Sequence, residues 1–323
     1  MKIYYGYRKA TDLKDPIVAI GIFDGLHVGH KRVINRMLRV REPGRDRVIL
    51  TFDPHPRSVL NPAKPSPRIM SLEHRLLIFR KMGVDAVIVL HFSEYIAGMS
   101  PGDFIKKVIV GIGARTVYVG ANFHFGRGKA GDVDTFKDMG GMYGVDVRKV
   151  MPVRKNGRVV SSTWVRSLVS KGRISEAEKL LRRPVSILGS VVRGDERGTE
   201  LGVPTANIDA HQEVIPPPGV YAVKIDIEGG LYDGVLNVGF NPTFYGRSLK
   251  RRKEPHIEVH VFDFTGHLYG LSVEIFFIKR MRSEKKFRSA DKLVKQIKAD
   301  KEKARELLES PVILRRIRKY KYL

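Results

Sequence analysis

Two histidines three residues apart close a glycine-rich turn, Gly21-Ile22-Phe23-Asp24-Gly25-Leu26-His27-Val28-Gly29-His30. The apolar run Ile17-Val18-Ala19-Ile20 ahead of it reads as a strand, and a helical pattern opens near His30. Gly21, Gly25 and Gly29 allow backbone to approach a ligand closely. A helix N-terminus offers unpaired N–H groups and the positive end of a dipole, and His27 and His30 face it one turn apart. Such an arrangement suits a polyphosphate.

Three further strings in the first half carry polar groups at the ends of strands. Thr51-Phe52-Asp53-Pro54-His55-Pro56 follows the strand Val48 to Phe52, and its two prolines present Asp53 and His55 at the same rim as His27. Val119-Gly120-Ala121-Asn122-Phe123-His124-Phe125-Gly126-Arg127-Gly128 leaves a strand for a glycine-rich, basic loop with the character of a nucleotide loop, which the phenylalanines anchor. In Ser161-Ser162-Thr163-Trp164-Val165-Arg166 the hydroxyls cap a helix, and Arg166 shares a face with Ser162 and Thr163, where it can meet a phosphate.

The second half has its own chemistry. Gly194-Asp195-Glu196-Arg197-Gly198-Thr199-Glu200-Leu201-Gly202-Val203-Pro204-Thr205-Ala206-Asn207 combines a loop of three glycines with Thr205 and Asn207, which sit two apart on an extended segment. Their oxygens point the same way and suit a hard cation such as Mg²⁺ beside substrate phosphates. In His256-Ile257-Glu258-Val259-His260-Val261, alternation places His256, Glu258 and His260 on one face and the apolar residues on the other.

The elements that must position these residues fall into two patterns. Short apolar strands at Val48 to Phe52, Ala86 to Phe92, Val117 to Val119 and Val145 to Val150 alternate with helices, one opening at Ser71 and one at Ser100. That pattern predicts an α/β domain with a doubly wound parallel sheet. Beyond Pro184 the strands Val185 to Val192, Val220 to Ile227, Leu231 to Val238, His256 to Phe262 and Leu271 to Ile278 follow one another with Gly and Pro turns. Those predict an antiparallel barrel or sandwich and a final helix with Phe287, Leu293, Val294 and Ile297 at helical spacing. The domains are therefore 1–183 and 184–323.

At 323 residues, 42% of them hydrophobic, the chain can build two cores. It contains no cysteine, which excludes disulfides, thiolate nucleophiles and cysteine-ligated metal centres. No continuous apolar run reaches about 18 residues and the first residues lack the pattern of a signal peptide, so the expectation is a cytoplasmic protein without a membrane partner. The net charge of +25 suits anionic substrates, and Lys279 to Leu323 holds 17 basic against 6 acidic residues. No zinc-finger spacing, RNP-like aromatic pattern or basic heptad region accompanies that charge, so nucleic acid is not the expected partner. Neither a Walker-A string nor a Gly-x-Gly-x-x-Gly turn is present.

The Gly-x-Phe-Asp-Gly-x-His-x-Gly-His string resembles the nucleotidyltransferase signature of the bacterial bifunctional riboflavin kinase/FAD synthetases, and the other strings extend the resemblance over about residues 1 to 300. It implies a Rossmann-like adenylyltransferase domain followed by a small Greek-key barrel closed by a helix, the basic C-terminal extension lying beyond it. It also implies ATP and Mg²⁺, with riboflavin, FMN and FAD as substrates and products. FMN phosphate would attack the α-phosphorus of ATP while His27 and His30 hold the phosphates. Gly21, Phe23, Asp24, Gly25, Gly29, Asn122, Ser162, Thr163 and Arg166 would surround that nucleotide. The family often carries an acidic residue where this chain has Asn122. In the barrel, Glu258 would accept the proton of the riboflavin 5′-hydroxyl as it attacks the γ-phosphate. Gly189, Gly194, Gly198, Gly202, Thr205 and Asn207 would bind the second ATP, with Thr205 and Asn207 on the metal. His55, Phe125, Asp263, Arg282 and Phe287 would lie around the flavins. The alternatives are another nucleotidyltransferase, such as a cytidylyltransferase, with an accessory barrel, and a basic nucleic-acid-binding protein. The Pro204-Thr205-Ala206-Asn207 string and Glu258 argue against the first, and salt-dependent nucleic-acid binding without ATP turnover would mark the second.

Overall fold

The computed structural model describes residues 1–63, 67–193, 205–211, 213–239, 256–285, 287 and 289–318. They form two compact units, Met1–Pro67 with Leu72–Ser162, and Arg68–Ser71 with Thr163–Tyr322.

The first unit is built on strands β1 (Lys2–Tyr5), β2 (Ile17–Ile20), β3 (Arg47–Asp53), β4 (Ala86–His91), β5 (Thr116–Gly120) and β6 (Asp146–Val150). They pair in the order β1-β4-β3-β2-β5-β6, every pair parallel. β2 and β4 are almost wholly buried, as continuous apolar runs in a sheet covered on both faces must be. β1 was not anticipated as a strand, and it adds an edge beside β4.

Helices α1 (Val28–Leu38), α2 (Pro56–Leu60), α3 (Leu72–Lys81), α4 (Glu94–Gly98), α5 (Pro101–Asp103, continuing as a π-helical stretch Phe104–Val110) and α6 (Val133–Gly141) connect the strands. A short hairpin, β7 (Arg154–Lys155) with β8 (Arg158–Val159), follows the sheet. Chain order reverses at β2, which lies between β3 and β5. The crevice off the carboxyl end of such a strand is where open α/β sheets bind ligands. The histidine string leaves β2 at that point.

In the second unit α7 (Ser162–Ser170) and α8 (Ile174–Leu181) precede a closed six-stranded barrel. α8 opens at Ile174 and ends in a left-handed Arg182. The barrel comprises β9 (Val185–Val192), β10 (Ala206–Asp209), β11 (Gly219–Ile227), β12 (Gly230–Gly239), β13 (His256–Val261) and β14 (Ser272–Arg282), and β10 is an addition to the strands expected from sequence. All its pairs are antiparallel, in the order β10-β13-β12-β11-β14-β9 with β9 returning to β10.

The closing helix Ala290–Glu309 seats Ala304 and Leu308 on Val220, Ala222 and Val235. It starts after Phe287, so this ring belongs to the approach to the helix, where Ser289 caps by accepting from the Lys292 N–H. Two ion pairs fasten the same helix: Arg282 to Asp300 at 2.6 Å and Asp263 to Arg305 at 2.8 Å. Arg68–Ser71 joins this unit through Glu213, whose carboxylate accepts from the Ser71 and Leu188 N–H groups.

Candidate active sites

The turn after β2 is held in conformations that few side chains adopt. Phe23 and Leu26 have φ of 56° and 45°, and Gly25 has φ of 82°. Strain at non-glycine residues persists where the surroundings enforce it, and it gathers at functional sites. Here the enforcement is burial, since Phe23, Asp24, Leu26 and His27 are all enclosed. A side chain at Gly21 would strike the Phe23 ring at 2.9 Å.

His27 is the N-cap of α1, and its Nδ1 accepts from the Gly29 N–H at 3.2 Å and the His30 N–H at 3.3 Å. Two of the amides that the sequence reading left open for phosphate are therefore taken by an imidazole. An Nδ1 that accepts leaves the proton on Nε2, so neutral His27 presents an Nε2–H donor. Gly29 makes this possible, because a Cβ there would lie 3.0 Å from His27 Cε1. The His30 ring stacks on His27 at 3.7 Å between centroids and meets the edge of Phe23 at 5.4 Å. His30 Nδ1 is buried with no hydrogen-bond partner among the described residues.

Both imidazoles are held neutral. Burial pushes His27, only 5% exposed, down to about 4. His30 lies well below 6.5 through burial first, then the neighbouring His27 and Arg75. Negative charge arriving between such groups raises their proton affinity, so they respond to a polyphosphate as donors.

Ser162, the first residue of α7, donates its hydroxyl to the Asp24 carbonyl at 2.9 Å. On the same helix Thr163 is exposed and Arg166 is half-buried. His55 caps α2 by accepting from the Arg57 N–H at 3.0 Å. Asn122 is exposed, and its carbonyl bonds His124 Nδ1 at 3.1 Å. Phe125 packs among Phe104, Phe123 and Phe136 in the core, so core packing accounts for its ring. Arg75 and Thr51 also belong to the first site's walls and were not singled out from sequence. Thr51 is fully buried beside the turn, its hydroxyl donating to the Ile22 carbonyl at 3.2 Å. No sequence signal separates Arg75 from a surface arginine on a helix.

In the barrel the register brings two expected residues together. Glu258 on β13 is the cross-strand partner of Asn207 on β10 and of Asn237 on β12. Glu258 is half-buried, and His256 Nε2 holds its Oε1 at 2.9 Å. Asn207 Oδ1 is buried without a partner among the described residues. An orphaned amide oxygen beside a carboxylate is the kind of donor that Mg²⁺ takes, so the residues present fit that ion.

His260 departs from the expected polar face. It lies opposite Val235, which packs under the closing helix, and it is buried there. Gly189 stands within β9, where a Cβ would meet Ile208 Cγ2 at 2.5 Å and the Asp209 carbonyl at 2.6 Å. Its small size is therefore accounted for by strand packing. Arg282, paired with Asp300, lies over the Phe287 ring at 6.0 Å, and the Arg305 guanidinium beside Asp263 holds that carboxyl below its ordinary value. Gly194, Gly198 and Gly202 lie outside the described residues.

Comparison with known proteins covers both halves of the chain. The FAD synthetase family model matches residues 9–164 and the riboflavin kinase model matches residues 181–308. A Bacillus subtilis (strain 168) bifunctional riboflavin kinase/FMN adenylyltransferase is 37% identical over 292 residues, covering 89% of this chain and 91% of its own. Its Pseudomonas fluorescens counterpart is 35% identical over 293 residues, covering 90% and 92%. A crystal structure described as a macrolide-efflux protein from Streptococcus pneumoniae superposes with a TM-score of 0.78 at 30% identity, over 94% of this chain and 99% of that one. Among the described residues no helix is long and apolar enough to cross a membrane. The chain belongs to the family of bifunctional riboflavin kinase/FMN adenylyltransferases, with its FAD synthetase region ahead of its riboflavin kinase region.

Proposed function

We propose that the His27–His30 turn is the adenylyl-transfer centre, and the Asn207–Glu258 strand pair the kinase centre, of an enzyme that phosphorylates riboflavin to FMN and adenylylates FMN to FAD. The stacked, neutral histidine pair at the switch point of the parallel sheet carries the reading. In the first centre an FMN phosphate oxygen attacks the α-phosphorus of ATP, the α–β phosphoanhydride bond breaks, and pyrophosphate leaves. His27 Nε2–H and the His30 ring bind the phosphates and stabilise charge as it moves to the leaving group, so catalysis rests on positioning and electrostatics. Gly25 and Gly29 shape the turn, and Ser162, Thr163, Arg166 and Asn122 complete the nucleotide's surroundings.

In the second centre Glu258 takes the proton of the riboflavin 5′-hydroxyl as that oxygen attacks the γ-phosphorus and ADP departs. His256 engages one carboxylate oxygen and leaves the other for the proton. Thr205 and Asn207 would hold Mg²⁺, which when bound neutralises phosphate charge. The division of labour follows 1–183 and 184–323. ATP as co-substrate fits work in the cytoplasm, and the basic surface serves anionic substrates rather than nucleic acid.

The test is a time course with riboflavin, ATP and Mg²⁺, run on wild type and on His30→Ala. FMN appearing before FAD in wild type, and FMN alone in the variant, is the expected result. FAD formation by a folded His30→Ala protein would remove the histidine pair from the chemistry.

A further inference from the structure

Arg75 is a buried cation that the two reactions do not require by themselves. It lies on α3 at 2% exposure, inside the first unit. Nη1 donates to the Ile22 carbonyl at 2.8 Å, to Thr51 Oγ1 at 2.9 Å and to the Phe52 carbonyl at 3.4 Å. Nη2 reaches the Phe52 carbonyl and Asp53 Oδ1, each at 3.4 Å. Ile22 belongs to the turn after β2, whereas Thr51, Phe52 and Asp53 end β3. One guanidinium thus ties together the two adjacent strand ends that border the histidine string. Four of these five contacts go to neutral oxygens, and Asp53 Oδ1 stands at 3.4 Å. Its charge sits in a place where burial weakens screening.

The next residue after Ile22 is Phe23, whose ring is wedged edge-on between His30 at 5.4 Å and Phe79, also on α3, at 6.1 Å. We propose that Arg75 is a positioning residue for adenylyl transfer: by clamping the β2 turn to the end of β3 it fixes Phe23, and through Phe23 the His30 ring, in the geometry that receives the ATP phosphates. The proposal rests on adenylyl transfer taking place at the His27–His30 turn. A fixed cation also favours the incoming polyanion, and it opposes protonation of His30 before the nucleotide arrives. The charged and titratable groups that act on that imidazole are His27, stacked on it, and Arg75, which in turn reaches Asp53.

Arg75→Gln, Arg75→Lys and Thr51→Val in the full chain test it, with riboflavin phosphorylation and the thermal midpoint measured on the same preparations. Arg75→Gln loses both clamp and charge. FAD synthesis is expected to fall by about 100-fold, the cost of a misplacement on the order of 1 Å. The acid limb of kcat/KM for ATP is expected to move to higher pH, as His30 gains protons more readily. Arg75→Lys keeps the charge and loses the fork, so turnover falls while the acid limb stays. Thr51→Val removes one acceptor and is expected to lower kcat by about 10-fold at unchanged riboflavin phosphorylation. A purely structural arginine would lower the midpoint without moving the acid limb. Wild-type FAD synthesis and acid limb in the Arg75 variants overturn the proposal, and if these variants do not fold, wild-type kcat in Thr51→Val does so. His30→Ala assayed alongside separates the two failures. FAD synthesis surviving there overturns the site itself, whereas its loss there with active Arg75 variants overturns only the role of Arg75.

Discussion

Glu258 and Asn207 face each other across the β10–β13 pair, and the Oδ1 of Asn207, without a partner among the described residues, lies beside the strand that carries the carboxylate. A carboxylate and an amide oxygen thereby share one patch of barrel wall, the juxtaposition that the proposed phosphoryl transfer from ATP to a hydroxyl would use.

Glu258→Gln preserves size and most hydrogen bonding but cannot take a proton. Riboflavin phosphorylation is expected to fall roughly 100-fold to 10,000-fold while FAD synthesis from supplied FMN continues. An exposed strand residue without a catalytic role would change stability by no more than about 0.5 kcal/mol and leave turnover intact. Kinase turnover and thermal midpoint on one preparation decide between them.

Asn207→Ala is expected to raise the Mg²⁺ concentration needed for half-maximal kinase activity by on the order of 10-fold or more, as loss of a metal-site partner does. Titrating Mg²⁺ against both activities checks this. An unchanged half-maximal concentration in a folded variant would take Asn207 off the metal.

Gly29→Ala sets two effects against each other. Helix propensity alone predicts stabilisation by about 1 kcal/mol. A Cβ 3.0 Å from His27 Cε1 and 3.1 Å from Nδ1 pushes the ring off its cap, so FAD synthesis is expected to fall by about 10-fold to 100-fold. Assay of FMN adenylylation by the purified variant reads the outcome directly.

His27 imposes a pH dependence on stability whose sign follows from its depressed value. The folded group titrates at about 4 and the unfolded one near 6.5, so between these the unfolded chain binds more protons. Its contribution is complete above about pH 6.5 and is lost as pH falls towards about 4. His27→Asn keeps a capping side chain that does not titrate. Its thermal midpoint should therefore decline less than wild type over that interval, and parallel declines would contradict the assignment.

A fragment beginning at Thr163 should be more stable than one beginning at Pro184. The shorter fragment loses α8, whose Leu180 and Leu181 are buried, and it loses Arg183, which donates to Ser186 Oγ at 2.8 Å. Two buried leucines represent on the order of 3 kcal/mol or more. Denaturant unfolding of the two fragments measures the difference.

The sequence by itself determined what is local. His27, Gly29 and His30 lie within a single helix start, so their spacing already specifies a strand, a turn and a helix opening, whereas the cap and the stack came from the structure. The alternation of strands with helices, and then of strands with turns, separates a parallel sheet from an antiparallel barrel because each connection follows from the elements beside it. Tertiary structure decided what depends on register and burial. Asn207 meets Glu258 only because β10 and β13 pair as they do, and a one-residue slip would send one of them to the other face. His260 follows the same alternation as Glu258 but is buried, since the closing helix comes from far along the chain to cover its end of the wall. Arg75 reads as one more basic residue on a helix until α3 docks beside the ends of β2 and β3. Burial then deprives its guanidinium of water, and the turn around the histidines supplies the acceptors instead.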